Sequence, residues 1–274
     1  MGRCTSDRQR LAPDAVTCVS GFKDHFSSAS DRYAAYRPDY PAALFAWLAS
    51  LCPRPGTSAE CGIAWDCATG SGQAALGLAP YFRQVVATDA SAEQIRHAQP
   101  HPAIDYRVAP AEASGLAKHS IDLITVAQAA HWFDLPRFYA EATHVLKPGG
   151  VLALWGYGRM VLPGKMDTPF RHFYAETVGP YWPPERALVD DGYRSLDFPF
   201  TEIEAPGFLI EVEWNLPRLA AYLSTWSAVK RFQDARGHDP LPALMAELTP
   251  LWGDVNTAKT LQWPLFLRVG RHQA

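Results

Sequence analysis

The chain reads as an α/β protein built on a doubly wound, mostly parallel sheet with helices on both faces. Two observations predict this. Short apolar runs alternate with stretches of helical pattern between residues 61 and 158, the rhythm of strand–helix–strand units. The first run stops at a glycine loop, Gly70-Ser71-Gly72, that leads directly into a helical stretch, and in such sheets ligands bind in loops at the carboxyl ends of the strands.

Taken in order, residues 1–21 are mixed, small and polar and read as a disordered N-terminus. Residues 22–55 form an arm and a helix: Arg37-Pro38-Asp39-Tyr40-Pro41 separates an aromatic-bearing arm from an apolar helix at roughly 42–51. Residues 56–157 carry the alternation. "CGIAWDCA" is the first strand and "GQAALGLAPYF" the helix after the glycine loop. "QVVATDAS" is the second strand, ending at Asp89, and "SAEQIRHAQ" opens on a serine suited to capping a helix. "AIDYRVAPAEA" is the third strand with its loop, and "SIDLITVAQAAHWFD" the fourth. "LPRFYAEATHVLKPGG" is an amphipathic helix closed by Lys147-Pro148-Gly149-Gly150, and "VLALWGYG" a fifth strand. Residues 158–200 break the rhythm and read as a lobe inserted over the strand ends. Residues 201–274 supply a strand at "FLIEVEWNL", a helix over "PRLAAYLSTWSAVKRFQDA", another over "LPALMAELTPLWG" and a closing strand at "TLQWPLFLRVGR".

The bulk composition narrows the function classes. The 274 residues are 48% hydrophobic and 19% charged with a formal charge of −3, so no basic surplus points to nucleic acid. The five cysteines are odd in number and include no C-x-x-C pair, which argues against a disulfide framework or a zinc site. The opening residues lack the apolar centre of a secretory signal, and no apolar run is long enough to span a membrane. The expectation is a cytoplasmic protein with no metal, whose nine tryptophans suit a large core or an apolar small-molecule pocket.

The glycines alone are a weak signal, since a strand-to-helix turn needs them without any ligand. Two carboxylates strengthen it. Asp66 stands four residues before Gly70, at a strand end where an unpaired charge is costly. A ligand ammonium or the amides of its own loop would supply the pair. Asp89 ends the next strand, 17 residues beyond Gly72, where a carboxylate can accept from both hydroxyls of a ribose or cap the helix that follows.

Asp66-x-Ala68-x-Gly70-x-Gly72 followed by Asp89 resembles the first two motifs of class I S-adenosylmethionine-dependent methyltransferases. Ala68 replaces the first glycine of the commonest form. "PAEASGL", "LITVAQAAHWFD" and "LKPGGVLALW" look like later motifs of that family, and "YAAYRPDYP" with "AQAAHWF" looks like its trans-aconitate methyltransferase-like branch. The resemblance covers residues 22–157 and implies a seven-stranded Rossmann-like sheet binding S-adenosyl-L-methionine. It also implies that Asp66 and the backbone of Ala68, Gly70 and Gly72 face the donor's methionine part, and Asp89 the ribose. Ala90, Ala111 and Glu112 would lie by the adenine, and Gln128 would close the methionine side. Tyr33 and Arg37 would clamp the donor carboxylate.

For the acceptor, a small molecule, the residues leave two routes open. His131, beside Trp132 at the mouth of the fourth strand, is the candidate general base for a phenol or amine. A carboxylate would need no base, and Arg159, Arg171 or His172 could neutralise it. Trp132, Trp155, Tyr157, Arg159, Trp182 and Tyr193 are candidates to line the pocket under the lobe. A nicotinamide-dependent oxidoreductase fits less well. Its glycines normally follow the strand directly, without an acidic residue four places earlier, and no Tyr-x-x-x-Lys pair occurs here. A methyltransferase-like fold kept only for binding is the non-catalytic alternative, against which the intact Asp66, Gly70, Gly72 and Asp89 set stands.

Overall fold

The structure, a computed structural model, describes residues 38–53 and 61–273. The expected disorder of residues 1–21, and the arm residues Tyr33 and Arg37, lie outside the described residues. The order is α1 (Ala42–Ser50), β1 (Cys61–Cys67), α2 (Gln73–Leu78), β2 (Phe82–Asp89), α3 (Ala92–Arg96), β3 (Ile104–Val108), β4 (Ile121–Ala127), α4 (Leu135–Val145) and β5 (Leu146–Tyr157). Beyond it come α5 (Asp167–His172), α6 (Arg186–Asp190), β6 (Thr201–Glu202), β7 (Phe208–Trp214), α7 (Leu216–Leu223), α8 (Ser227–Arg236), α9 (Leu241–Trp252) and β8 (Lys259–Arg271). The strands form one sheet in the order β3-β2-β1-β4-β5-β8-β6, with β7 also paired to β8. Pairing is parallel as far as β5, and β8 enters antiparallel.

Burial explains the central strands. Six of the seven residues of β1 and of β4 are buried, as expected where helices cover both faces of a parallel sheet. One core packs α1, α2 and α7–α9 against one side. The other packs α4 together with Val189, Tyr193, Leu196 and Phe200 of the lobe. Local chemistry sets the helix starts. Ser91 Oγ accepts from the Gln94 amide ahead of α3, Asp134 Oδ1 from Arg137 ahead of α4, and Asn215 Oδ1 from Arg218 ahead of α7.

Three details differ from expectation. Lys147–Gly150 do not close α4 but already belong to β5, where the pairing jumps from Ile121–Leu146 to Leu123–Val151 and the intervening residues bulge out. The single helix expected over residues 217–235 is two, α7 and α8. At the break Ser224 Oγ and Thr225 Oγ1 turn back onto the carbonyls of Ala221 and Tyr222, while Trp226 is buried. To the seven expected strands the sheet adds an eighth, the two-residue β6, held to Gly270 and Arg271 of β8.

The length of β8 shapes the site. Its residues 265–271 pair with β5, whereas residues 259–265 pair with β7. Because Tyr157 pairs with Leu265, the first half of β8 runs past the carboxyl end of β5 and carries β7 with it. Val161 bridges to Gln262 on this overhang, so the lobe has a strand to lean on. No described helix is long and apolar enough to cross a membrane.

At the strand ends Gln128 and Gly156 fit closely: a Cβ on Gly156 would stand 2.3 Å from Gln128 Oε1 and 2.6 Å from Phe266 Cζ. Gly156→Ala is therefore expected to cost roughly 1–3 kcal/mol through overpacking. Gly158→Ala, whose new Cβ would meet nothing nearer than 3.8 Å, serves as the control. Urea denaturation of the two variants beside wild type checks this, and equal midpoints for both would contradict it.

Candidate active site

At the carboxyl end of β1 the chain must turn within a few residues into α2. It does so through three left-handed residues, Ala68 (φ 55°), Gly70 (φ 57°) and Gly72 (φ 90°). Glycine reaches this region freely, whereas alanine pays roughly 1–2 kcal/mol. Ala68, the departure from the commonest family form, nonetheless takes that backbone. Its neighbour holds it there: the Thr69 amide donates to the Thr88 carbonyl at 2.9 Å, and Thr69 Oγ1 donates to Asp66 Oδ2 at 2.5 Å. Gly72 is required a second time, because a Cβ there would lie 2.4 Å from the Tyr106 hydroxyl oxygen.

Asp66 is wholly buried. Its neighbour across the sheet is Thr125 of β4, whose Oγ1 donates to Asp66 Oδ1 at 2.8 Å. Each of its oxygens thus accepts from a threonine hydroxyl. Burial pushes its carboxyl from 3.8 up to about 6, against the opposing pull of those hydroxyls.

Asp89 gathers the loop from the other side. Its Oδ2 accepts from the Gly70 amide at 2.9 Å and its Oδ1 from the Ser91 amide at 2.8 Å. Each carboxylate oxygen can accept a second bond. Ala90 is half-buried beside it, and Val108, in register with Asp89 on β3, is a large apolar side chain left 57% exposed. Ala111 is buried, and Glu112 Oε1 accepts from the Asp134 amide at 3.0 Å, tying the loop after β3 to the one after β4. Gln128 is left-handed (φ 57°); its side-chain amide donates to the Tyr157 carbonyl at 2.9 Å and accepts from the Tyr157 amide at 3.1 Å, so the side chain clamps β4 to β5.

On the lobe side the residues sort into used and poised. Trp155 is wholly buried, its ring edge-on to Tyr40 and Phe45. Tyr157 is buried against Trp263. Both belong to the core cluster that also holds Phe45 and Trp263. Arg159 is committed to Asp167 through both Nη atoms, at 2.5 and 3.2 Å, and to the Met160 carbonyl. It holds the Asp167 carboxyl below its usual range, despite burial, and is no free anchor for a ligand. Arg171 and His172 point outward and are exposed.

His131 sits in a short turn of 3₁₀ helix after β4 (Ala130–Trp132), 4.7 Å ring to ring from Trp132, with Nδ1 2.8 Å from the Tyr193 hydroxyl. Tyr193 is wholly buried and left-handed (φ 59°), and its carbonyl accepts from Arg268 Nη1 at 2.9 Å. Burial holds the Tyr193 phenol far above its ordinary range. Which of the Tyr193 hydroxyl and His131 Nδ1 donates is set by the ring's tautomer. Sequence reasoning missed Thr69, Thr125 and Val108. Thr125 alone left a trace, as a polar residue within the apolar run that follows Asp122. Among the described residues no cluster of three or more metal-ligating side chains occurs.

Comparison with known proteins converges on one activity. A family model described as a methyltransferase domain matches residues 65–154. A Dictyostelium discoideum protein described as a methyltransferase is 36% identical over 230 residues, 83% of this chain and 86% of that one. A Saccharomyces cerevisiae protein described as an S-adenosylmethionine-dependent methyltransferase is 28% identical over 159 residues, 55% of this chain and 51% of its own length. The solved structure of an Anaeromyxobacter dehalogenans protein, described as a type II methyltransferase, superposes with a TM-score of 0.81. It is 43% identical and is matched over 87% of this chain and 99% of that one.

The buried Asp66 carries a pH signature. Its folded-state value lies above the unfolded one, so the folded chain holds the proton more tightly. Its contribution is fully favourable below about pH 3.8 and is lost as pH rises through about 6. Asp66→Asn keeps one acceptor and adds donors that the threonine hydroxyls can accept. The variant is expected to be roughly 1–3 kcal/mol more stable than wild type at pH 7, with the gap closing toward pH 4. Urea unfolding of both proteins from pH 4 to pH 8 reads this, and a gap independent of pH would refute the assignment.

Proposed function

The chain belongs to the class I methyltransferases, and from that membership and the geometry above we propose that it transfers a methyl group from S-adenosyl-L-methionine to a small-molecule carboxylate. The observation that supports the donor half is the convergence of Asp66 and Asp89 on one glycine loop at the carboxyl ends of β1 and β2. When bound, S-adenosylmethionine supplies an electrophilic methyl group on a positively charged sulfur. The residues present fit such a ligand. A cation is favoured near the buried charge of Asp66, and ribose hydroxyls suit a carboxylate acceptor such as Asp89. Gly70 and Gly72 keep side chains out of the loop and leave its backbone open to close approach. Ala90, Ala111, Glu112 and the exposed Val108 would border the adenine. Ala68 and Gln128 then act on the donor site through the backbone, one by shaping the loop and the other by fixing the ends of β4 and β5.

The acceptor reading rests on His131, the candidate base, whose Nδ1 is already engaged with the Tyr193 hydroxyl at 2.8 Å. A phenol or amine acceptor needs a base, whereas a carboxylate is already a nucleophile at neutral pH and needs only alignment, a partner for its charge and exclusion of water. His131, held by Tyr193, would then border the acceptor and take no proton from it. Trp132, stacked on His131, would form part of the wall that keeps water away.

Donor binding gives the direct test. Isothermal titration with S-adenosylhomocysteine should show saturable binding to the wild-type chain, and neither NAD nor NADP should bind. Asp89→Ala is expected to weaken that binding roughly 10- to 100-fold, the scale of losing hydrogen bonds to a charged acceptor. Unchanged affinity would overturn the ribose role, and binding of NAD in place of S-adenosylhomocysteine would overturn the donor.

A further inference from the structure

We infer that Arg186 is the anchor for the acceptor's carboxylate, with Tyr174 and Trp182 as the walls that hold its guanidinium in place. This deepens the carboxylate reading above and rests on it. Arg186 opens α6, and its side chain is 17% exposed. The guanidinium carbon lies 4.8 Å from the centre of the Trp182 ring and 5.8 Å from that of Tyr174, the stacked arrangement that immobilises an arginine head. Its Nε and Nη2 donate to the Tyr174 hydroxyl at 3.2 and 2.8 Å, and Nε also faces Asp190 Oδ1 at 3.3 Å. Among the described residues Nη1 has no protein partner. A rigid, mostly enclosed cation thus keeps one nitrogen uncommitted.

The position points toward the reacting end of the sheet. Asp190, at the other end of α6, comes within 3.8 Å of the Cβ position on Gly158, the first residue past β5. Arg186 is near enough to Tyr193 for its charge to oppose the burial that raises that phenol, and the Tyr193 hydroxyl holds His131. The other arginines of this region are placed for different work. Arg159 is closed on Asp167, Arg171 is 64% exposed, and Arg268 is spent on the carbonyls of Tyr193 and Leu196 and on Glu202. Asp190 is 45% exposed and holds Arg186 only through the long 3.3 Å contact, so the guanidinium keeps much of its charge for a ligand. A planar fork with a free edge matches a carboxylate better than a lysine would. A purely structural ion pair would need neither the aromatic walls nor an open edge.

The experiment uses the full chain saturated with S-adenosylhomocysteine and titrated with a panel of small mono- and dicarboxylic acids and their neutral amides. Binding is followed by tryptophan fluorescence, since Trp182 stacks on Arg186, and by thermal shift. Carboxylates should titrate saturably and the amides should not. Arg186→Gln should weaken the carboxylate at least tenfold, and Arg186→Lys, which keeps the charge without the fork, by less. Asp190→Asn removes the competing anion but still accepts from Tyr174, so it should tighten carboxylate binding several-fold. A structural ion pair would give no such gain. S-adenosylhomocysteine affinity should stay at the wild-type value in all three variants. Its loss in wild type would instead sink the donor reading, and the anion titration repeated without it still decides the anchor. If Arg186→Gln fails to fold, Arg186→Lys and the half-exposed Asp190→Asn carry the decision. The proposal is overturned if no carboxylate titrates wild type, if the amides titrate equally, or if the Arg186 variants bind like wild type and Asp190→Asn brings no gain.

Discussion

The molecule turns on a buried carboxylate, Asp66, held between the hydroxyls of Thr69 and Thr125. Ionised and enclosed, it is expensive, and two neutral donors only partly offset the cost, which is why its carboxyl is raised. What the arrangement secures is position. Thr125 belongs to β4 and Thr69 to the loop after β1, so one side chain joins the centre of the sheet to the glycine turn. That bridge, with the Thr69 amide on the Thr88 carbonyl, helps to hold the unfavourable left-handed backbone of Ala68.

The same loop is held from β2 by Asp89 through the Gly70 amide. Two carboxylates therefore converge on a few residues of backbone, and their charges add. A loop that binds a cation-bearing ligand and one that is merely a tight turn share the same glycines. They differ in the negative potential behind them. This is the physical content of the family motif in this chain, and it survives the replacement of a motif glycine by Ala68 because the backbone there still takes the left-handed form.

The acceptor side depends on a different feature, the length of β8. Its overhang beyond β5 carries β7 and bridges to Val161, giving the lobe a firm edge. From the half of β8 that pairs with β5, Arg268 grips the Tyr193 carbonyl, and the Tyr193 hydroxyl stands 2.8 Å from His131 Nδ1. A histidine read as a base beside Trp132 is tied, in the fold, to a distant tyrosine. Arg186 shows the same lesson with the opposite sign. In the sequence it is one arginine after two prolines, and only the fold surrounds it with Tyr174 and Trp182.

The strand–helix alternation, the parallel sheet, the glycine turn and the pairing of Asp66 with Asp89 were legible in the sequence, because periodicity, glycine conformation and capping are local properties of a few neighbouring residues. The family followed from those same letters. What lay beyond it were partners set by register: Thr125 meets Asp66 from 59 residues away, and Tyr193 meets His131 from 62. The burial of Trp155 and Tyr157 was not legible, because an aromatic near a strand end reads alike whether it faces a pocket or the core. Nor was the pairing of Arg159 with Asp167, which become neighbours only after the chain turns. Composition and spacing determine which elements form and where a ligand loop can sit. Which polar groups are already spent, and which are left to act, is decided by tertiary packing, since hydrogen bonds and ion pairs depend on distances that no local pattern encodes.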